Sequence, residues 1–170
     1  KGQPYVVYNH TGFVSLLPFM EQKNLYDQYN YVNLASSSSP YGITNGPDPS
    51  GNPNRVVAST NLKIMACPSD KDPDTVNDAP GGTGFYERSE TRRSNYFFST
   101  GAYTDYDADW KNLPISARGA FGNNGAAKLA DCIDGTSNTI AIGESKQLHT
   151  STSYGPYWGA GTHTAVHGRG

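Results

Sequence analysis

The chain has 170 residues and a formal net charge of −2, with 35% hydrophobic and 16% charged residues. Both fractions are low for a globular protein. The charge excludes the basic surface of a nucleic-acid-binding domain, and no apolar stretch approaches the ~20 residues of a membrane span. A core is still expected, because the chain contains 12 Tyr, 6 Phe and 2 Trp. The length predicts one domain over residues 1–170.

The first predicted elements are a strand and two short helices. Residues 5–8 favour a strand, and Thr11 is a candidate N-cap for the helix that follows. The apolar side chains with helical spacing in that segment are Phe13, Leu16, Leu17 and Met20. Pro18 predicts a break in the helix, and a second helical piece is predicted from Asn24.

Two long loops flank the next predicted elements. Residues 33–53 and 68–93 are rich in Ser, Pro, Gly, Asn and Asp, which favour turns over helices or central strands. Between them, residues 55–64 regain apolar character and predict a short helix. After the second loop, residues 95–99 predict a strand.

The C-terminal part predicts short strands and turns. Strands are expected at 119–121, 128–133 and 139–143, and another begins near 157. Asp134 and Gly135 form a dipeptide that favours a hairpin turn between two of these strands, with a positive φ at Gly135. Helical pieces followed by strands predict an α+β fold, with short N-terminal helical segments packed on an antiparallel, loop-rich sheet.

Three alternating carboxylates suggest a cation site. Asp105, Asp107 and Asp109 have the spacing with which a loop binds calcium. An EF-hand is excluded, because its sixth and twelfth positions would be Trp110 and Ser116. The alternatives are a calcium loop of another kind and a solvated acidic loop.

The two cysteines, Cys67 and Cys132, are too far apart in sequence for a zinc or thioredoxin motif. The polar, Tyr-rich composition suits a protein outside the cytoplasm, where the two thiols would form a disulfide. The alternative is a pair of buried free thiols.

No local catalytic motif is present. The nucleophile pentapeptide G-x-S-x-G and the common phosphate-binding loops do not occur. Glu144 ends an apolar segment, where a structural carboxylate is expected rather than an acid catalyst. We therefore expect no enzymatic activity and no organic cofactor.

Four segments carry a family resemblance. The first is LLPFMEQ at 16–22, and the third is SNY at 94–96. The second consists of Cys67, Pro68, Ser69 and Asp70. The fourth consists of Asp134, Gly135, Thr136, Ser137, Asn138, Thr139 and Ile140, and ends at Gly143 and Glu144. In this order, over residues 10–160, they resemble the bacterial prepilin-type, pseudopilin-like proteins.

The resemblance implies a globular head outside the cytoplasmic membrane, carried on a pilin-like stalk. Family members usually begin with a cleavage signal and a long hydrophobic helix, which the printed sequence does not contain. Filament assembly, with other copies or related pilin-like subunits as partners, is thus implied only for a longer parent chain. Structural roles are expected for Pro68, Ser69 and Asp70, for the turn residues from Asp134 to Thr139, and for Glu144.

Three functional hypotheses follow. The first is a non-enzymatic structural or assembly protein. The second is a carbohydrate- or ligand-binding module that uses Trp110 or Trp158 as an aromatic platform, with calcium as a possible ligand. The third is a hydrolase whose catalytic residues are not adjacent in sequence.

Overall fold

The computed structural model describes residues 6–36, 44–70, 91–103, 108–146 and 156–161, together with the backbone of 76–77 and 167–169. The described part combines short helices with small sheets, and this confirms the predicted α+β class.

Two prolines lie in the first turns of helical elements. Helix α1 (Gly12–Leu16) passes into a 3-10 helix (Leu17–Met20) that has Pro18 in its first turn, as the predicted break requires. Helix α2 spans Lys23–Tyr26. Helix α3 (Pro53–Ala58) begins where the Asn52 side chain accepts a hydrogen bond from the Asn54 backbone N–H. A further 3-10 helix covers Lys63–Met65.

Among the described residues, the main sheet has three strands, and the central one pairs with both of the others. Strand β3 (Tyr96–Gly101) lies at its centre, where a strand was predicted. Strand β6 (Ile142–Glu144) pairs with it antiparallel, and β7 (His167–Arg169) pairs with it parallel. The sheet is therefore mixed, because a segment from the end of the chain joins β3 in the same direction.

The described part of the chain also has two smaller ladders. Strands β1 (Val76–Asn77) and β2 (Thr91–Arg92) form one of them, so the predicted loop 68–93 contains a short antiparallel pair. Strands β4 (Phe121–Gly122) and β5 (Gly125–Ala126) form the other.

The predicted hairpin at Asp134 and Gly135 is wrong. The segment before it contains a 3-10 helix (Leu129–Asp131), and the segment after it contains another (Thr136–Asn138). The side chains of Asn138 and Thr139 donate to the carbonyl groups of Asp134 and Gly135. These local bonds stabilise compact turns in place of a ladder, and the β6 residues pair with β3 instead.

One apolar cluster joins the helices, the sheet and the segment 157–160. Phe98 of β3 stacks against Phe13 of α1, with ring centroids 4.3 Å apart, and lies 4.6 Å from Phe121. Trp158 is completely buried in the same cluster. The candidate N-cap Thr11 precedes α1, but its hydroxyl donates to the Trp158 carbonyl instead of capping the helix.

Candidate functional site

Two of the family-like segments, at 67–70 and 94–96, meet at the completely buried side chain of Asn95, together with Ser145, the residue that directly follows the fourth segment. Its Oδ1 accepts a hydrogen bond from the Cys67 N–H at 2.9 Å. Its Nδ2 donates to Asp70 Oδ2 at 2.8 Å and to the Ser145 carbonyl at 2.9 Å. The Asn95 amide thus holds together the segment at 67–70, the start of β3 and the end of β6. We call this set of bonds the Asn95 junction.

The tetrapeptide at 67–70 is a tight turn seated on the Asn95 junction. The Asp70 N–H donates to the Cys67 carbonyl at 3.0 Å, and the Asp70 side chain is buried. Pro68 and Ser69 lie at the exposed tip of the turn. Asp70 therefore contributes a structural acceptor inside the fold.

Gly143 and Glu144, at the end of the fourth segment, each contact an aromatic residue of strand β3. A Cβ on Gly143 would lie 2.7 Å from the Phe97 ring, so this position accommodates the ring only because it has no side chain. Glu144 is exposed, and its carboxylate forms a hydrogen bond with Tyr96 across the strand pair. That bond raises the pKa of Tyr96 above its usual value.

The turn at 134–139 is exposed and is stabilised by its own side chains. Asn138 Nδ2 donates to the Asp134 carbonyl at 2.7 Å, and the Thr139 hydroxyl donates to the Gly135 carbonyl at 3.2 Å. Gly135 has φ +88° and ψ 147°, and the predicted positive φ is thereby confirmed. Thr136 and Ser137 lie in the 3-10 helix that follows.

Replacing Gly135 by alanine is expected to lower the free energy of unfolding by about 1–3 kcal/mol, because residues with a Cβ strongly disfavour this backbone region. No atom lies within 4 Å of the added Cβ, so the loss would come from the backbone conformation alone. Urea denaturation measures it, with Ser137→Ala as the control in the same turn. Equal stability of Gly135→Ala and the parent chain would contradict the prediction.

The predicted calcium residues are only partly within the described structure. Asp105 and Asp107 lie outside the described residues. Asp109 precedes a 3-10 helix (Trp110–Asn112), and its Oδ1 accepts a hydrogen bond from Asn124 Nδ2 at 2.8 Å. No group of three or more potential metal ligands occurs among the residues that the structure describes.

The predicted disulfide is not formed, and the structure has two free, half-buried thiols at Cys67 and Cys132. The two residues are held in different places. The Cys67 N–H binds Asn95, whereas Cys132 follows a 3-10 helix and its Sγ lies 3.9 Å from the Lys128 carbonyl oxygen. The strand predicted at 128–133, which includes Cys132, is wrong, because a 3-10 helix occupies most of that segment.

Neither tryptophan is fully exposed. Trp158 is completely buried, so its proposed role as an aromatic platform is wrong. Trp110 is half-buried and donates from Nε1 to the Gly119 carbonyl. The Arg118 guanidinium lies 4.0 Å from the centroid of the Trp110 ring and covers it.

Sequence reasoning missed an aromatic cluster around His10. The His10 ring stacks on Tyr8 at 5.5 Å and meets the ring of Tyr31 edge-on at 5.1 Å. Its Nε2 lies 3.0 Å from the Tyr31 carbonyl oxygen, and its Nδ1 lies 2.8 Å from the Tyr29 hydroxyl. Because a carbonyl can only accept, Nε2 carries the proton, and neutral His10 accepts at Nδ1 from Tyr29.

This hydrogen-bond pattern favours the neutral imidazole. Burial lowers the pKa of His10 below its ordinary value of 6.5, and the backbone hydrogen bond to Tyr31 opposes this only in part. Burial also raises the pKa of Tyr29, so its hydroxyl stays protonated and remains a donor. The cluster is therefore assembled at neutral pH with His10 uncharged.

Stability is expected to fall as the pH is lowered below 6.5. The unfolded chain binds a proton at His10 at a higher pH than the folded chain does, so acid favours unfolding. The contribution of His10 to the free energy of unfolding is complete above the ordinary pKa, which applies to the unfolded chain. It is lost as the pH falls through the lowered pKa of His10 in the folded chain. Melting temperatures from pH 8 to pH 5 measure it, with His10→Gln as the non-titrating control. Identical pH profiles for both proteins would contradict the prediction.

Four exposed apolar side chains flank the turn at 134–139 in the sequence. The exposed fractions are 82% for Leu129, 90% for Ile133, 68% for Ile140 and 44% for Ile142. Isolated exposed apolar residues are ordinary, but four within 14 positions of one segment mark a candidate contact surface. Among the described residues, no helix is both long and apolar enough to span a bilayer.

Comparison with known proteins identifies the class to which the chain belongs. Residues 4–170 match the family model SBP_bac_10, described as a protein of unknown function (DUF1559). The chain belongs to this family, which is associated with prepilin- and pseudopilin-like proteins. No curated protein and no solved structure matches the chain significantly.

Proposed function

We propose that the chain is the globular head of a pilin- or pseudopilin-like assembly outside the cytoplasm, with a structural, non-enzymatic role. The family match over residues 4–170 carries the proposal, because that family is associated with pilin-like surface proteins. The geometry of the Asn95 junction supports it. Motif residues there bind one another in the interior, as expected of residues that maintain a fold rather than line an active site.

The exposed apolar side chains support contact with other subunits. Leu129, Ile133 and Ile140 lie on one segment and would be covered in an assembly with further copies or related pilin-like subunits. No organic cofactor enters this proposal.

Localisation on native cells tests the proposed function. Antibodies raised against the chain are expected to label the surface of intact cells and material sheared from that surface, as seen by immunogold electron microscopy. An antibody against a cytoplasmic protein serves as the control and should label only permeabilised cells. Labelling of the chain confined to the cytoplasm would contradict the proposal.

A second candidate function is carbohydrate binding at the His10 cluster. Tyr31 is 42% exposed and contacts His10, which stacks on Tyr8, so a sugar could stack on Tyr31, whereas Trp158 is buried. A glycan array probed with the chain tests this function. Binding should be lost in Tyr31→Ala and retained in Trp110→Ala, and the absence of any bound glycan would contradict it.

Calcium binding is retained as a proposal for Asp105, Asp107 and Asp109. Calorimetric titration with calcium should give heat with the parent chain and less heat with Asp109→Asn. Asp27→Asn is the control, because Asp27 is exposed and pairs with Lys23 elsewhere. Absence of heat with the parent chain would indicate a solvated loop.

A further inference from the structure

Strand β6 lies at one edge of the main sheet. The Ser145 N–H donates to the Asn95 carbonyl, and the Ser99 N–H donates to the Ala141 carbonyl. Because antiparallel bonds alternate along a strand, the backbone N–H and C=O groups of Ile142 and Glu144 point away from β3. In the part of the chain that the structure describes, no strand pairs with this outer edge.

The charges along this edge are self-complementary. Glu144 and Lys146 are both exposed, and they flank Ser145 at a spacing of two residues. In an antiparallel pair related by a two-fold axis at Ser145, Glu144 of each copy lies opposite Lys146 of the other. Residues opposite each other share a face of the sheet, so two opposite-charge pairs form. The outward backbone groups of Glu144 also face those of Lys146 in this register.

Charged residues on an edge strand usually prevent association, because identical edges repel one another. Here Glu144 and Lys146 have opposite charges, so the repulsion between two identical edges is removed in the register that is centred on Ser145. Ile140 and Ile142, which are 68% and 44% exposed, supply apolar surface beside the same edge.

We propose that the outer edge of β6 and the residues that follow it form a self-association edge, along which residues 144–146 of a second copy of this chain pair antiparallel about Ser145. The contact is isologous and places the main sheets of the two copies edge to edge. This inference rests on the proposed assembly function and names the surface through which two copies would meet.

A charge-swap experiment tests the register. Lys146→Glu and Glu144→Lys are each expected to weaken dimerisation at least about tenfold in sedimentation equilibrium, because each variant places like charges opposite each other. An equimolar mixture of the two should associate again, since both pairs regain opposite signs. Lys111→Glu and Glu21→Lys are exposed controls with the same charge changes and should dimerise like the parent chain.

Cysteine cross-linking gives a second measurement that needs no charge reversal. Ser145→Cys places two thiols opposite each other in a non-hydrogen-bonded pair, where Cα atoms lie about 4.5 Å apart and a disulfide is possible. Oxidation should yield a covalent dimer, whereas Ser137→Cys and the parent chain should yield much less.

A parent chain that stays monomeric at roughly millimolar concentration would overturn the β6 proposal, because weak interfaces dissociate only below their Kd. A mixture that does not restore association would do the same. These outcomes are separate from the localisation test. A surface-located monomer would refute only the β6 edge, and a cytoplasmic dimer only the assembly function.

Discussion

Replacing Asn95 by alanine is expected to lower the free energy of unfolding by about 4 kcal/mol, because several buried polar groups lose a partner at once. The Cys67 N–H loses its acceptor, and the Asp70 carboxylate and the Ser145 carbonyl lose a donor. A domain of this size is stabilised by only about 5–15 kcal/mol, so the variant would be close to unfolding. Urea denaturation followed by fluorescence measures the change.

Two variants show whether the loss comes from the Asn95 junction. Asn138→Ala removes one exposed hydrogen bond and should cost less than about 1 kcal/mol. Asn95→Asp places a second carboxylate beside Asp70, and adding Asp70→Asn should recover part of the lost stability by restoring a donor–acceptor pair. A loss in Asn95→Ala no greater than in Asn138→Ala would show that the junction is not a major source of stability.

Replacing Trp158 by alanine is expected to cost about 3–5 kcal/mol, because it removes the largest completely buried side chain and leaves a cavity. Trp110→Ala is the matched control. Trp110 is half-buried, and its loss removes one hydrogen bond and the stacked Arg118, so we expect about 1–2 kcal/mol.

Thermal and urea unfolding of the two tryptophan variants would decide between a core role and a surface role for Trp158. A stable Trp158→Ala protein with altered ligand binding would contradict the core role. A larger loss in Trp110→Ala than in Trp158→Ala would also contradict it, since cavity cost grows with burial.

The sequence by itself determined the features that depend on neighbouring residues. The break at Pro18 follows from the fixed φ of proline and its missing N–H. The positive φ of Gly135 follows from the absence of a Cβ. Strand β3 follows from its run of aromatic side chains at 96–98. The family motifs were also visible in the sequence, and the family match agrees with them.

Only the tertiary structure decided what those motifs do, because their contacts join distant residues. Asn95 binds the Ser145 carbonyl 50 positions away, and Thr11 binds the Trp158 carbonyl 147 positions away. The composition of a segment does not specify such a partner. An aromatic residue suits a ligand platform and a core equally well, and burial alone assigned Trp158 to the core. Likewise, the predicted hairpin does not form. The Asn138 side chain donates to the Asp134 carbonyl within the turn, and Ile142 pairs with the distant strand β3.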